Sequence, residues 1–441
     1  MNGSVSSRRK WYQAVGPGII TACVVIGPGS ILSSSKVGAS TGFEMLWLIL
    51  VSCIFMMFYM TMGAKLGVVL KQSVGDTITE LVGRWLAVAI GIGVFLISAS
   101  YQFGNNLGVQ SAFKALGVST SISVALVIIF NALSISFLYF FKNLYKALEK
   151  VMMCFVGMLL FCFAINLIMV KPNVGELFSG FIPATGAFGD INLLALIGTT
   201  FVISAAYFQI YLAQQKGWNE DQLRDGLTDA RVGSVIMFLI TIMLICTAAA
   251  QLRNQDLGTV EDVAAGLNAT LGNNAKLLFC LGLFSAAYSS FLVNSMIAGF
   301  ILSDGLGLGN KPSDKAPKHL TTLVLLTGMV VALSVIQFDF QTVHLIVLAQ
   351  AVTVIFAPLL GGVMLWLTNK REVMGDRVNG PVTNCFAGAG FLLLLALSYY
   401  MVTTKIPQTI RPKSTWVDQV EESTRFVLRI QVNQENDHQN G

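Results

Sequence analysis

Long runs of apolar residues, separated by short polar stretches, make up most of this chain. None of these runs contains an Asp, Glu, Lys or Arg. About 20 apolar residues are enough to cross the hydrocarbon core of a bilayer as a helix. The pattern predicts eleven membrane-spanning helices, the ninth and tenth separated at Asp339. They are placed at residues 13–35, 45–64, 85–113, 119–141, 151–170, 191–215, 232–252, 277–303, 320–338, 340–369 and 384–404.

The composition agrees with a chain that lies mostly in lipid. Hydrophobic residues make up 54% of the 441 positions and charged residues only 12%, with a mean hydropathy of +0.70. A soluble domain carries about 25% charged residues. Continuous runs of this length satisfy their backbone polar groups as helices and lack the two-residue alternation of a β-barrel. The composition excludes a soluble enzyme and predicts an all-α membrane protein that contacts the lipid bilayer and no nucleic acid.

The Lys and Arg residues between the predicted helices fall mostly on one side. With a cytoplasmic N-terminus, eighteen of the 28 lie in the N-terminal tail and the cytoplasmic loops, five in the opposite loops and five in the C-terminal tail. Cytoplasmic loops of membrane proteins are enriched in these residues. The distribution predicts a multi-pass protein with its N-terminus in the cytoplasm. The mixed-charge stretch 219–231 is expected to be a solvated helix on that side.

Eleven crossings fit two related five-helix units and one additional helix. Because an odd number of crossings inverts the second unit, the two units would run in opposite directions. The predicted divisions are an N-terminal tail (1–12), a first repeat (13–170), a second repeat (191–369), an eleventh helix (384–404) and a polar C-terminal tail (405–441). Inverted repeats are common in secondary transporters, whose binding sites lie where helices are interrupted near the bilayer midplane.

The first predicted helix contains Gly27-Pro28-Gly29-Ser30 near its middle. Pro removes a backbone donor and clashes with the preceding turn, and the flanking Gly residues weaken the helix further. We expect an unwound stretch there that exposes carbonyls and N–H groups to a ligand. The sixth predicted helix, Gly198 to Gln209, has no Pro. Only its Thr and Ser content and its place in the repeat suggest an interruption, and hydroxyl residues at helix contacts explain that content almost equally well.

These segments resemble a known family. The chain has Gly16-Pro17-Gly18 and, eleven residues further on, Gly27-Pro28-Gly29-Ser30. This pair of motifs resembles the opening of the Nramp-type metal-ion transporters, which share the LeuT-type fold. The resemblance continues through Gly198, Thr200 and Tyr207 in the sixth segment and Gln350 and Pro358 in the tenth. It implies a LeuT-type fold and a transported metal ion, with no resident cofactor.

The chain departs from the family pattern at the positions that bind metal. Where the family has a metal-binding Asp and Asn in its first helix, this chain has Gly27 and Ser30. The family's sulfur ligand Met falls on Val202. The Pro that follows falls on Ile203, the two helix-six His on Ser204 and Gln209, and the acidic pair of the third helix near Gln102 and Asn105.

These departures indicate that the transported ion is not a soft transition metal. A thioether selects soft metals, so its loss removes the reason to prefer manganese or iron. Mg²⁺ dehydrates reluctantly and often keeps several waters. A wide site of hydroxyl, amide and carbonyl oxygens therefore suits hydrated Mg²⁺, and the chain is similar to the prokaryotic Nramp-related magnesium transporters. The expected binding residues are Gly27, Ser30, Thr199, Val202, Ser204 and Gln350, with Gln102, Asn105 and Gln209 as polar groups along the path. Bonding to neighbouring helices explains Gln102 and Asn105 equally well.

The predicted spans lack the acidic pair and the helix-six His of the family, and His344 lies at the outer end of the tenth span. Because proton-coupled carriers need titratable groups in the path, this favours transport without proton coupling. The resemblance to prokaryotic carriers implies the inner membrane, and a monomer is the favoured oligomeric state. Three other functions remain open: a broad-range divalent carrier that includes Mn²⁺, a LeuT-type carrier of a neutral organic solute, and a receptor-like protein without transport. An enzyme is the least favoured class, since the sequence shows no recognisable pairing of a nucleophile with a base, no Gly-rich phosphate loop and no metal-ligand cluster.

Overall fold

The structure, a computed structural model, describes residues 16–141, 143–183, 191–338 and 342–405. The side chains of 191–195, 342–351, 354 and 405 lie outside the described part. The tail 406–441, the predicted N-terminal tail and Asp339 also lie outside it. In the described ranges all regular structure is helical.

The described residues of the first half form eight helices. Two of them are short connecting helices at the ends of the bundle, and the remaining six are apolar segments. In order they are α1 (Pro17–Val25), α2 (Pro28–Thr41), α3 (Leu46–Val69), α4 (Val74–Val82), α5 (Arg84–Ala115), α6 (Thr120–Phe140), α7 (Leu144–Val170) and α8 (Val174–Ser179).

The second half continues in the same way after the segment 184–190. Short 3₁₀ turns lie at Glu220–Gln222 and Gly375–Arg377. The helices are α9 (Ile191–Thr200), α10 (Ile203–Lys216), α11 (Leu223–Gln251), α12 (Val260–Leu271), α13 (Asn273–Gly305), α14 (Lys315–Phe338), α15 (Thr342–Asn369), α16 (Arg371–Met374) and α17 (Pro381–Tyr400).

The described residues contain nine helical stretches that are long and apolar enough to cross a membrane. The pair α1 and α2, bent by 60° at its break, adds a tenth, and Ile355–Asn369 of α15 is a shorter apolar helix. All eleven predicted apolar segments are therefore mostly helical in their described parts, with breaks inside the first and the sixth. The division into repeats at the predicted residues stays a prediction.

Residues up to Ser398 form one compact unit. Its core is a set of buried apolar side chains drawn from most of the long helices, with α3, α7, α10, α11 and α13 among the main contributors. Small residues let the helices approach closely, as membrane helices do. A Cβ at Gly91 of α5, for example, would lie 3.0 Å from the Cα of Leu302 in α13.

The residues from Tyr399 onward form a second unit. Its described part is the end of α17 followed by a π-helical turn at Met401–Lys405. The hydroxyl of Thr403 donates a hydrogen bond of 2.8 Å to the carbonyl of Tyr399.

Hydrogen bonds bring several helix ends together at the end of the bundle where α1 begins, which we call the Gly16 end. Near the end of α10, Gln214 donates to the carbonyl of Gln72, between α3 and α4, at 2.9 Å. Lys65 near the end of α3 donates to the carbonyl of Val378, just before α17, at 3.0 Å. These contacts fix which chain segments share this end.

Candidate functional site: two helix breaks and their neighbours

The first helix is interrupted where the sequence predicts. α1 ends at Val25 and α2 begins at Pro28, with Gly27 extended between them (φ −104°, ψ −178°). Pro28 occupies the first position of α2, where its missing N–H leaves no helical hydrogen bond unmade. On the neighbouring helix, a Cβ at Gly108 would lie only 2.1 Å from the Cγ of Pro28. Gly108 is therefore required for α5 to pack against the break.

Hydroxyl groups cover the carbonyls that the break exposes. The Ser30 hydroxyl donates to the carbonyl of Val25 at 2.5 Å, and the Ser290 hydroxyl of α13 donates to that of Val24 at 3.1 Å. The carbonyl of Gly27, which we expected to be free, accepts the Ile31 N–H at 3.1 Å as the first hydrogen bond of α2. The reason is that α2 starts directly after the break, so that Gly27 becomes its N-terminal cap.

The sixth predicted helix is also interrupted, although it has no Pro. α9 ends at Thr200, α10 begins at Ile203, and Val202 is non-helical between them (φ −84°, ψ 88°). The hydroxyls of Thr199 and Thr200 both donate to the carbonyl of Leu196, at 3.2 and 2.7 Å. Hydroxyl bonds of this kind weaken and bend helices. They give the interruption a physical cause that the sequence only hinted at.

The two breaks meet at Ser30. Its hydroxyl lies 2.5 Å from the carbonyl of Val25 and 3.3 Å from that of Thr199, so one side chain joins both interruptions. Ser204 is buried in the first turn of α10, and Val202 is half-buried at its start. The structure thus brings Gly27, Ser30 and Thr199 together. The side chain of Gln350 lies outside the described residues.

A network of amide side chains lies beside the first break, on α5 and α13. Asn105 donates to the Oε1 of Gln102 at 3.3 Å. Gln102 donates to the carbonyl of Phe291 at 2.9 Å and accepts from Asn294 at 3.2 Å. Gln102 therefore has partners on both amide atoms and bonds to a neighbouring helix, which was one of its two predicted roles. A role along the path stays a prediction. Asn105 lies next to Gly27.

The side chain of Gln209 lies between α10, α1 and α11, and within the described residues it makes no hydrogen bond to the groups at the two breaks. Its role along the path stays a prediction. Gln209 is fully buried in α10 and accepts a hydrogen bond of 2.5 Å from Thr21 of α1. Its own amide donates to Asp229 of α11 at 3.2 Å. Five residues separate Gln209 from Ser204, almost one and a half helical turns. That spacing turns the two side chains to different surroundings.

Two buried carboxylates were missed because the predicted spans stopped short of them. Asp229 accepts the backbone N–H groups of Gly16 and Gly18, each at 2.6 Å, and so caps the start of α1. The mixed-charge stretch expected to be solvated thus contains a fully buried Asp. One feature of the sequence could have revealed that Asp229 is buried. Gly226 and Gly233 lie on the same helix face as Asp229, three residues before it and four after it, and such small residues indicate close helix packing.

Asp304 plays the same part for a second helix. It accepts the N–H of Gly75 in the first turn of α4 at 2.8 Å and the hydroxyl of Tyr211 in α10 at 2.6 Å. Nearby, Lys216 and Glu149 form an ion pair between α10 and α7. The Gly16 end therefore holds the buried charges of the described bundle, each with a partner.

The groups nearest the two breaks are uncharged oxygens. They are the hydroxyls of Ser30 and Ser290, the amide of Asn105, and the carbonyls of Val24, Val25 and Thr199. No cluster of three or more His, Cys, Asp or Glu that could hold a metal is present within the described ranges. A site of this kind can hold a cation through neutral dipoles and can release it again.

Interrupted helices that meet in the middle of an apolar bundle define a class, the secondary transporters of the LeuT-type fold. The particular family follows from the sequence: the profile of the natural resistance-associated macrophage protein-like (Nramp) family matches residues 18–404, so the chain belongs to the Nramp family. Members of this family are transporters, so the chain is not an enzyme. The resemblance inferred from the sequence is confirmed at the level of the family.

One curated relative is the divalent metal cation transporter MntH of Pectobacterium carotovorum, 25% identical over 410 residues that cover 90% of this chain and 96% of the relative. A manganese transporter of Eremococcus coleocola is similar in structure, with a TM-score of 0.79 and 16% identity over 96% of this chain and 93% of that one. MhsT in complex with L-phenylalanine has a TM-score of 0.58 and 13% identity, covering 89% and 99% of the two chains. The two solved structures support the fold alone.

Proposed function

We propose that this chain is a secondary transporter of divalent metal cations that works by alternating access. The observation that carries the proposal is the meeting of two interrupted helices at Ser30, in a member of the Nramp family. Interrupted helices offer carbonyls and helix ends to an ion at the middle of the membrane. The curated relative named a divalent metal cation transporter supports the cargo class.

The choice among divalent ions rests on two observations that point in different directions. Similar proteins are named for manganese, whereas the position that the resemblance assigns to a sulfur ligand is Val202. A site of oxygen donors without a thioether does not favour soft metals. We therefore propose a broad range that includes Mn²⁺ and Mg²⁺, with the ion keeping part of its water. A preference for Mg²⁺ is the second candidate, favoured by the hard oxygen donors around Ser30.

We also propose that transport is uncoupled from protons. The buried carboxylates of Asp229 and Asp304 are bonded to helix starts at the Gly16 end and not to groups at the breaks. With the N-terminus in the cytoplasm, an inside-negative potential favours entry by about 2.3 kcal/mol per charge per 100 mV, hence twice that for a divalent ion. The proposed setting is a monomer in the inner membrane.

The test is uptake into proteoliposomes that contain an internal pH dye. Mg²⁺ and Mn²⁺ would be supplied separately under an imposed inside-negative potential, with protein-free liposomes as the control. We expect both ions to enter without acidification of the lumen. Entry of Mn²⁺ alone would contradict the broad range, and acidification would contradict uncoupled transport. Flux of neither ion would overturn the metal proposal and make organic solutes the next cargo to test.

A further inference from the structure

We propose that Asn105 supplies an oxygen ligand to the transported cation beside the break at Gly27, and that Gln102 positions it. The inference rests on the proposed transport of divalent cations and assigns a donor to α5, a helix that has no interruption of its own. It gives the amide of Asn105 a binding role, in place of a general polar role along the path.

The first step is the distance between Asn105 and the break. A Cβ at Gly27 would lie 3.1 Å from the Oγ of Ser290 and 3.4 Å from the Oδ1 of Asn105. Two side-chain oxygens from two different helices therefore converge on the place that the missing side chain of Gly27 leaves open. Ser290 is held there by its hydrogen bond to the carbonyl of Val24.

The second step is the orientation of the Asn105 amide. Its Nδ2 donates to the Oε1 of Gln102 at 3.3 Å, and that Oε1 also accepts from Asn294 at 3.2 Å. The other end of the Gln102 amide donates to the carbonyl of Phe291. Rotating the Asn105 amide would place its oxygen against another acceptor. Gln102 therefore keeps the Nδ2 of Asn105 turned inward and its Oδ1 turned toward Gly27.

The third step is that this oxygen is available. Asn105 is only 5% exposed, and within the part of the chain that the structure describes no donor bonds to its Oδ1. The Oδ1 is not one of the fully enclosed atoms that lack a partner, so it borders open space in which a water or an ion can lie. An amide oxygen is a hard donor of the kind that Mg²⁺ and Ca²⁺ accept.

The neighbouring residue provides a contrast. Asn106 is equally buried, but its Nδ2 donates to the carbonyl of Gln102 at 2.9 Å and its Oδ1 accepts from Asn131 of α6 at 2.7 Å. Both of its amide atoms are occupied by protein. The two consecutive Asn residues of α5 therefore have different roles. Asn106 links α5 to α6 through hydrogen bonds, whereas the amide oxygen of Asn105 faces the break.

Replacing Asn105 and Asn106 separately by Leu tests whether only Asn105 binds the cation. The affinity of purified protein for Mg²⁺ and for Mn²⁺ would be measured by titration calorimetry, and the unfolding temperature would be measured with and without each ion. We expect Asn105→Leu to weaken binding about tenfold or more, which corresponds to 1.4 kcal/mol. The matched control Asn106→Leu should lower the unfolding temperature while affinity stays within about twofold of wild type, because its bonds are all internal.

A second variant keeps the inference testable if Asn105→Leu does not fold. Asn105→Asp is nearly isosteric and adds a charge facing the break, so it should tighten binding about tenfold or more. Unchanged affinity in a folded Asn105→Asp or Asn105→Leu protein would overturn the inference and leave the proposed function standing. Equal losses in the two Leu variants would overturn it as well. Wild-type protein that binds neither ion would remove both proposals together.

Discussion

The centre of the bundle and its Gly16 end use polar groups in opposite ways. Around the breaks the polar groups are neutral: hydroxyls at Ser30 and Ser290 and an amide at Asn105. The Gly16 end adds buried acidic side chains, and Asp229 and Asp304 accept backbone N–H groups at the starts of α1 and α4. Among the described residues, the buried acidic side chains hold helices in place, and the neutral oxygens face the interruptions.

The difference has a physical reason. A carboxylate at a helix start interacts favourably with the positive end of the helix dipole and satisfies donors that would otherwise lack a partner. Such a carboxylate is already neutralised and offers little to a passing ion. Neutral oxygens bind a cation more weakly, which suits an ion that must also leave. Substitutions at the Gly16 end should therefore change the free energy of unfolding, and substitutions at the centre should change the binding and uptake of the cation.

The largest effect is expected from Asp229→Ala. The change removes three hydrogen bonds to a buried carboxylate and leaves the N–H groups of Gly16 and Gly18 without partners. Hydrogen bonds to charged groups contribute about 1.5–3 kcal/mol each, so a loss of at least about 3 kcal/mol in unfolding free energy is expected. The measurement is thermal unfolding of detergent-solubilised protein. The control is Asp225→Ala, one turn earlier and partly exposed; an equal loss there would contradict the capping role.

A somewhat smaller effect is expected at the centre from Gly108→Ala. The new Cβ would lie 2.1 Å from the Cγ of Pro28, so the break or α5 must move. Overpacking of this kind costs about 1–3 kcal/mol. Because the strain falls on the break, we expect cation uptake to fall by more than the stability loss explains.

The matched control is Gly104→Ala, one turn earlier on α5, where a Cβ would meet nothing within 4 Å. Replacing a helical Gly by Ala in open space stabilises by about 1 kcal/mol. The two variants should therefore change stability with opposite signs. Wild-type uptake in a folded Gly108→Ala protein would show that the contact with Pro28 does not matter for transport.

Tyr211→Phe tests a single hydrogen bond at the Gly16 end. It removes the donor that reaches Asp304 at 2.6 Å and should cost about 2 kcal/mol, since the acceptor is charged. Tyr207, one turn earlier on α10 and equally buried, makes no hydroxyl hydrogen bond among the described residues. Tyr207→Phe should therefore be close to neutral in the same unfolding experiment. If ion affinity fell in Tyr211→Phe while stability did not, the division between the two regions would be wrong.

The sequence predicts the fold better than it predicts the site. The apolar runs indicate the helices, and Gly27-Pro28-Gly29 indicates the first interruption because Pro and Gly act on the backbone directly. The second interruption was hard to predict because it depends on hydroxyl bonds from Thr199 and Thr200 to Leu196, which many intact helices also tolerate.

The positions of polar residues could not be predicted from their types. Asn105 and Asn106 look alike in sequence, and only the packing of α5 against α6 and α13 separates their roles. Asp229 was taken for a solvated residue because charged neighbours surround it in the chain, whereas the helix turns it inward to α1. A polar side chain takes its role from the backbone groups it meets, and these belong to distant segments.

Ser30→Ala should have the smallest effect on the free energy of unfolding. It is also the sharpest test of whether the ion binds at the two breaks. The change removes the hydroxyl that joins the carbonyls of Val25 and Thr199 and should cost only about 1 kcal/mol. If the junction of the two breaks is where the ion binds, uptake of Mg²⁺ and Mn²⁺ should fall severalfold despite this small loss. The control is Ser33→Ala, a half-buried residue of α2 one turn further on. Equal uptake in the two variants would move the binding site away from Ser30 and toward Asn105 alone.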